Sequence, residues 1–368
     1  MSLLQLDISK CVRTTNKFSQ CTECVSACPV ETIRIEEQLP SFVPNDCVGC
    51  GGCLSACPSA AYTLDDFNAI NFIFSYLESS KNEISCKEDA IPCLAALSVE
   101  EIVSMSLLSS KEILFDKSHC SECEIAKVNL DLIKNRVEES NFILEAMQIE
   151  KSVRFENVEP REQDRENEAG SRRDFLSKLS VKEAAIAKEK FNNSVEALDE
   201  ELKEHSASLQ DIQNIRNKSV PDRRKLLKMA MKRAGVPETF HVIESADISF
   251  ISEKVIDEQS CTNCQMCYRI CPTGALSSDN YGGFIDFDAF SCIKCASCHD
   301  VCEPNSITLK DTFSIKELFK PKKQRLVKFS VKRCNECGMP FVYRGGEVMC
   351  TRCSIEEEEA NELWGTKS

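Results

Sequence analysis

The 368-residue chain sets 45 Lys and Arg against 59 Asp and Glu, a formal charge of −14, and carries 24 cysteines beside 4 histidines and 1 tryptophan. That is more than one domain's worth of chain, and a chain long enough to bury a core has no need of disulfide staples, so the cysteines point to metal. The acidic balance argues against a nucleic-acid binder, whose affinity would come from a surplus of Lys and Arg set against phosphates.

The start, MSLLQLDISKCVRTTNK, has no basic segment leading into an apolar one and no small-residue cleavage site, so secretion by a standard signal is not expected. The longest strongly apolar stretch, AINFIFSYL at 69–77, is about half of what a membrane-spanning helix needs. A soluble, cytoplasmic protein is expected, in a compartment where thiols stay reduced and hold metal.

Residues 1–66 read Cys11, then Cys21-x2-Cys24-x3-Cys28-Pro29, then Cys47-x2-Cys50-x2-Cys53-x3-Cys57-Pro58. Residues 67–160 change character. EISCK (83–87) and EILFD (112–116) read as short buried strands flanking a helix at 98–109 that opens with the capping box Ser98-x-x-Glu101. A helix from about Glu124 to Met147 and a third strand, SVRFENVE (152–159), complete a small α/β unit with a parallel sheet.

A charged linker, EPREQDRENEAG at 159–170, leads into 161–245, which continues as a helical segment. There Val195, Leu198, Leu202, His205, Leu209 and Ile212 form a coiled-coil-like seam, too short to separate from an ordinary packed helix. Residues 246–312 repeat the first pattern: Cys261-x2-Cys264-x2-Cys267-x3-Cys271-Pro272, then Cys292-x2-Cys295-x2-Cys298-x3-Cys302. The repeat extends past the cysteines, with TIRIEE (32–37) matched by ALSSDN (275–280), and AYTLDD (61–66) by SITLKD (306–311). A basic connector (313–333), a paired-cysteine knuckle (334–353) and an acidic tail (354–368) follow.

The run Cys-x2-Cys-x2-Cys-x3-Cys-Pro suits a [4Fe-4S] cube: three closely spaced thiolates wrap one corner, and the fourth, before proline, reaches to the neighbouring cluster. Both cysteine-rich stretches resemble bacterial two-cluster ferredoxins. On that pattern Cys11, Cys21, Cys24 and Cys57 hold one cluster, and Cys47, Cys50, Cys53 and Cys28 its neighbour. In the second module the sets are Cys261, Cys264, Cys267 and Cys302, and Cys292, Cys295, Cys298 and Cys271. Two departures stand out. Nine residues, instead of two, separate Cys11 from Cys21, and Cys302 is followed by Glu303-Pro304 rather than directly by proline.

Cys334-x2-Cys337 and Cys350-x2-Cys353 form two knuckles of a zinc-ribbon-like type; four thiolates suit structural zinc, which is favoured, or a single iron. Cys86, Cys93, Cys120 and Cys123 lie just beyond strand ends, where an α/β unit gathers ligands. They hold a metal or cluster, or they are reduced core cysteines. This stretch resembles the delta subunit of methyl-viologen-reducing hydrogenases, which implies a [2Fe-2S] carrier. No cysteine is left over.

SRRDFLSKL (171–179) looks like a twin-arginine motif but sits mid-chain, and PDRRKLLKMA (221–230) is similar. Both read as helix starts, Ser171 capping one and Pro221 opening the other, with arginines on solvated faces. The basic stretch 321–333 reads as solvated or partner-facing surface, and His299, beside Cys298, as a surface residue, the alternative being one that tunes the neighbouring cluster. No GxGxxG, Walker loop, GxSxG or HExxH is present, so no catalytic residues are assigned.

The expectation is an α+β multidomain protein: two ferredoxin-like modules, a parallel-sheet unit, a helical segment and the terminal knuckle. It would relay single electrons through four [4Fe-4S] clusters. The whole resembles multi-cluster subunits that accompany formate dehydrogenases and hydrogenases, which implies such a redox enzyme as partner. The alternative is a maturation or scaffold factor docking through 171–235; a redox-sensing regulator would need nucleic-acid affinity, against which the charge counts. Six filled centres at about −2 each would take the charge to about −26, so partners should offer basic surfaces.

Overall fold

A computed structural model describes residues 4–86, 89–158 and 218–365. The linker at 159–170, the SRRDFLSKL motif and the seam from Val195 to Ile212 lie outside the described residues.

The first module is two antiparallel pairs: β1 (Leu4–Leu6) against β4 (Tyr62–Leu64), and the hairpin of β2 (Ile33–Glu36) with β3 (Leu39–Phe42). Leu4 and Leu64 face each other across the first pair, so the strands flanking the cysteine loops close over them. The apolar stretch at 69–77 is the helix Ala69–Glu78, capped by the Asn68 side chain.

In the middle unit β5 (Glu83–Ile84), β6 (Ile113–Asp116) and β7 (Val153–Glu156) pair in parallel in that order. The helix Val99–Leu108 connects the first two strands and Ala126–Ala146 the last two. Both hydrogen bonds of the Ser98/Glu101 capping box are made. Almost every residue of Val99–Leu108 is buried, charged ones included, which marks it as an interior helix.

The second module repeats the first. β9 (Lys254–Ile256) pairs with β12 (Ile307–Leu309), and β10 (Leu276–Ser277) with β11 (Phe284–Phe287), all antiparallel. Two additions distinguish it. β8 (Val242–Glu244) pairs with β13 (Thr312–Ser314), and β14 (Gln324–Lys328) extends the β10–β11 sheet. The basic stretch read as solvated surface is therefore partly a sheet strand: Val327 is buried, and the Arg325 guanidinium lies 3.7 Å from the Phe284 ring centroid and pairs with Asp286.

Two apolar cores divide the described residues. One joins the first module to the middle unit, the other joins the second module to the helices, and the helix Asp222–Ala234 serves both. Leu226 packs in the first core; Leu227, Ala230 and Met231 pack in the second. The arginines of this helix, expected on a solvated face, are buried: Arg223 is 8% exposed and Arg224 0%. Helical spacing places Arg223 over Leu226 and Arg224 over Leu227, so each arginine follows its leucine into a different core. Among the described residues no helix is long and apolar enough to cross a membrane.

Candidate metal centres

Three of the four cysteine loops share one backbone device. Gly49 and Gly51, Asn263 and Gln265, and Lys294 and Ala296 occupy matching positions between the cysteines, all left-handed with φ from +50 to +78. Such alternation turns successive N–H groups toward one concavity, a nest suited to an anionic group. For the four non-glycine residues the left-handed region carries strain of roughly 1–2 kcal/mol each. At Gly51 glycine is needed twice over, since a Cβ there would also lie 2.7 Å from the Ala96 Cβ. The loop with nine residues between Cys11 and Cys21 is built differently. None of residues 12–20 is left-handed; a short helix, Val12–Thr15, fills the interval, and Arg13 Nε donates to the Cys21 carbonyl at 2.6 Å.

The loops bring the cysteines together in fours. Cys28, Cys47, Cys50 and Cys53 line one concavity. Cys271, Cys292, Cys295 and Cys298 line another. Burial, and then the proximity of Cys271, Cys292 and Cys298, pushes the Cys295 thiol up to about 12; burial followed by Cys50, Cys47 and Cys28 raises Cys53. In the other two sets Cys21 is pushed up to about 11 by burial and then by Cys57 and Cys24, and burial with Cys57 raises Cys11. Cys267 is pushed up to about 12 by burial and then by Cys261, Cys264 and Cys302. Buried thiols crowded in this way resist ionising together, and a cationic core shared by four thiolates removes the conflict. The donor set is all sulfur, soft and closed, and fits an iron–sulfur cluster in each module's two sites.

Hydroxyls support the prolyl-flanked ligands. Ser59 Oγ lies 3.5 Å from Cys57 Sγ and Thr273 Oγ1 lies 3.7 Å from Cys271 Sγ, two residues on in each case. The Ala61 N–H donates to Cys57 Sγ at 3.3 Å. Within each module the two sets adjoin: Cys24 bears on Cys53, and Cys267 on Cys298.

The middle cysteines also cluster. Cys93 is pushed up to about 12, by burial first and then by Cys86 and Cys50; Cys120 is pushed up to about 11 by burial and then by Cys86 and Cys123. Cys86 thus neighbours both Cys93 and Cys120. Asn129 Nδ2 lies 3.5 Å from Cys93 Sγ, and the same side chain bonds to Cys50, so this group adjoins a first-module quartet. Asn129 is a neutral residue on a long helix, and nothing in the sequence singles it out.

In the terminal group the sulfurs of Cys334, Cys337, Cys350 and Cys353 all lie within 4.8 Å of one another. The Cys350 N–H donates to Cys334 Sγ at 3.3 Å, and backbone N–H groups of Cys337 and Cys350 lower the Cys334 thiol to about 6. That geometry fits a tetrahedral ion. The first knuckle sits on the turn between β15 (Val331–Arg333) and β16 (Pro340–Val342), but the second opens the helix Thr351–Trp364. Part of the expected acidic tail is this helix. Arg344 of the knuckle donates to the carbonyls of Gln259 and Cys261, tying the group to the second module.

Profiles of a 4Fe-4S dicluster domain match residues 17–61 and 253–303. Ferredoxins are among the relatives: an uncharacterised one from Methanocaldococcus jannaschii is 36% identical over 61 residues, covering 16% of this chain and 90% of that protein. One from Methanothermococcus thermolithotrophicus is 34% identical over 62 residues, covering 17% and 95%. The chain belongs to the ferredoxin-type 4Fe-4S dicluster proteins. The ferredoxin-type match in the first module begins after Cys11, the cysteine whose spacing departs from the pattern; in the second it spans all eight cysteines.

His299, expected on the surface, is half-buried with Nε2 2.9 Å from Lys254 Nζ. Burial first, then Lys254, lowers its pKa to about 4, which leaves the imidazole neutral.

Proposed function

We infer that this chain relays single electrons between a donor and an acceptor through four [4Fe-4S] centres. The supporting observation is the gathering of sixteen cysteines into two pairs of adjoining quartets, two of which line concavities. A cluster held by four thiolates supplies a one-electron carrier with no open position for substrate. The residues set its surroundings: nests of N–H groups offset its negative charge, apolar walls exclude water, and Arg223 and Arg224 bring buried cations to the carbonyls of Cys57 and Cys292.

The same reading assigns zinc to Cys334, Cys337, Cys350 and Cys353, and a [2Fe-2S] centre to Cys86, Cys93, Cys120 and Cys123. Cys123 is exposed, which makes the middle group an entry or exit point for electrons. The partner is a redox enzyme in the cytoplasm, of which formate dehydrogenase and hydrogenase are the candidates that resemblance offers. The scaffold alternative relied on 171–235 as a docking surface, and its portion from Asp222 to Ala234 is inside the fold.

Anaerobic purification with iron, zinc and acid-labile sulfide counts, followed by EPR of the reduced protein, tests this. About sixteen irons and one zinc are expected, with two further irons and sulfides if the middle group is filled. Far fewer irons after reconstitution would overturn the reading.

A further inference from the structure

The nine residues that enlarge the first cysteine loop make the contact between the two ferredoxin-type modules. Asn16, 3% exposed, donates from Nδ2 to the Ser297 carbonyl at 3.1 Å, and the Gln20 N–H donates to the Asp300 carboxylate at 3.2 Å. Ser297 is bonded to Cys298, so its carbonyl belongs to the peptide that carries that cysteine. On the other side the Asn16 N–H donates at 3.0 Å to the carbonyl of Val12, the residue after Cys11. Asn16 Oδ1 accepts from the Phe18 N–H at 3.0 Å, which fixes the amide's orientation. A path of covalent bonds and two hydrogen bonds therefore runs from Cys11 to Cys298. A branch reaches Cys21, whose N–H donates to Ser19 Oγ at 3.4 Å while the Ser19 N–H donates to the Asn16 carbonyl at 3.0 Å. In the second module the matching interval, between Cys261 and Cys264, has only two residues and no such reach.

A competing route leads from the Cys57 carbonyl through the Arg223 side chain, the peptide bond to Arg224 and the Arg224 side chain to the Cys292 carbonyl. It too has two hydrogen bonds, but two full arginine side chains lie between them, where the Asn16 route has only the short run from the Asn16 N–H to Nδ2. Electron tunnelling decays less steeply through covalent and hydrogen bonds than across gaps, and each added link weakens it, so the shorter route through one neutral amide dominates.

We propose that the segment 12–20, through Asn16, is the bridge by which electrons cross between the Cys11/Cys21/Cys24/Cys57 site and the Cys271/Cys292/Cys295/Cys298 site. The proposal rests on the electron-transfer reading above. One electron leaves the first site and enters the second; one centre is oxidised by one equivalent and the other reduced by one. No bond forms or breaks and no proton moves. A low-potential one-electron donor, such as a reduced viologen, supplies the electron, and an oxidised one-electron carrier removes it.

The test uses the full-length, iron-loaded protein beside Asn16→Leu and the nearly isosteric Asn16→Asp, which replaces the donor by an acceptor facing the Ser297 carbonyl. Each is given a sub-stoichiometric pulse of a photogenerated one-electron reductant, and redistribution between modules is followed by freeze-quench EPR. The second readout is line broadening from spin coupling across the junction in the fully reduced protein. Loss of the hydrogen bond should slow redistribution by about tenfold, with iron and sulfide unchanged in both variants, midpoint potentials unchanged in Asn16→Leu, and the broadening unchanged because it reports the separation of the centres. Unchanged redistribution in a variant that keeps its iron and its broadening would overturn the bridge; if Asn16→Leu loses iron, Asn16→Asp decides, with its rate compared at the driving force given by its own measured midpoint potentials. If no centre of the unaltered protein accepts an electron from the viologen, it is the electron-transfer reading that fails.

Discussion

Arg223 and Arg224 are neighbours in sequence that grip different modules. Arg223 donates to the Cys57 carbonyl at 2.6 Å and Arg224 to the Cys292 carbonyl at 2.9 Å, and both guanidinium groups pair with Glu100 of the interior helix. Arg224 also lies over the rings of Phe250 and Phe290, with its Cζ 5.3 and 5.6 Å from their centroids. One buried carboxylate thus joins two modules and the middle unit.

Glu100→Gln should therefore cost about 3–5 kcal/mol, because it leaves two buried cations sharing a neutral acceptor. Denaturant unfolding of the iron-loaded protein measures it. A change below about 1 kcal/mol would show that the triad is not holding the modules together.

Gly51→Ala combines a left-handed backbone with a Cβ driven into Ala96, and a loss of about 2–4 kcal/mol is expected. The iron of the Cys28/Cys47/Cys50/Cys53 site should be lost first. The contrasting variant is Ala296→Gly, where φ is +60: relief of strain should outweigh the added chain entropy and stabilise by about 0.5 kcal/mol. Melting curves and iron counts of the two variants should move in opposite directions.

Removing one knuckle ligand, as in Cys337→Ser, should abolish zinc binding and leave iron unchanged. The hairpin and the helix Thr351–Trp364 bury little on their own, so their amides should exchange with deuterium markedly faster in the variant. Loss of iron in proportion to the knuckle metal would show that the four sulfurs hold iron.

Glu139 accepts from the N–H and Oγ of Ser249 at 2.7 and 2.9 Å, joining the helix Ala126–Ala146 to the second module. Burial pushes its carboxyl above the ordinary carboxylate range, with these bonds offsetting part of the rise. The ionised form is thus disfavoured in the folded state: stability is greatest below the unfolded pKa and is lost as pH rises through the folded one. Glu139→Gln keeps an acceptor and does not titrate. The variant should be at least as stable as the parent at pH ~8, and the parent should gain on it as pH falls, by on the order of 1 kcal/mol. Melting temperatures measured from that pH downward check the sign; a parent that loses ground on acidification would contradict it.

The cysteine loops were legible because they are local. Three cysteines within seven residues can face one point whatever the rest of the chain does, and the two modules repeat the pattern with their strands. The capping box of the helix Val99–Leu108 was legible for the same reason, since Ser98 and Glu101 lie in one turn.

Burial of the arginine pair was not. A Pro-Asp-Arg-Arg start reads alike on a solvated helix and on an interior one, and only Glu100, 124 residues from Arg224, distinguishes them. The basic stretch around Arg325 looked like surface until β14 found its place beside β11. Asn129 approaches Cys93 and Cys50, and Asn16 meets Ser297 across 281 residues, through single polar contacts that no spacing encodes. The cysteine spacing alone carried the local loops, because three thiols within seven residues can face one point; which distant cysteine completes each set came from the ferredoxin pattern. Only the tertiary structure decided how the centres are joined, because that depends on which distant faces the two cores bury together.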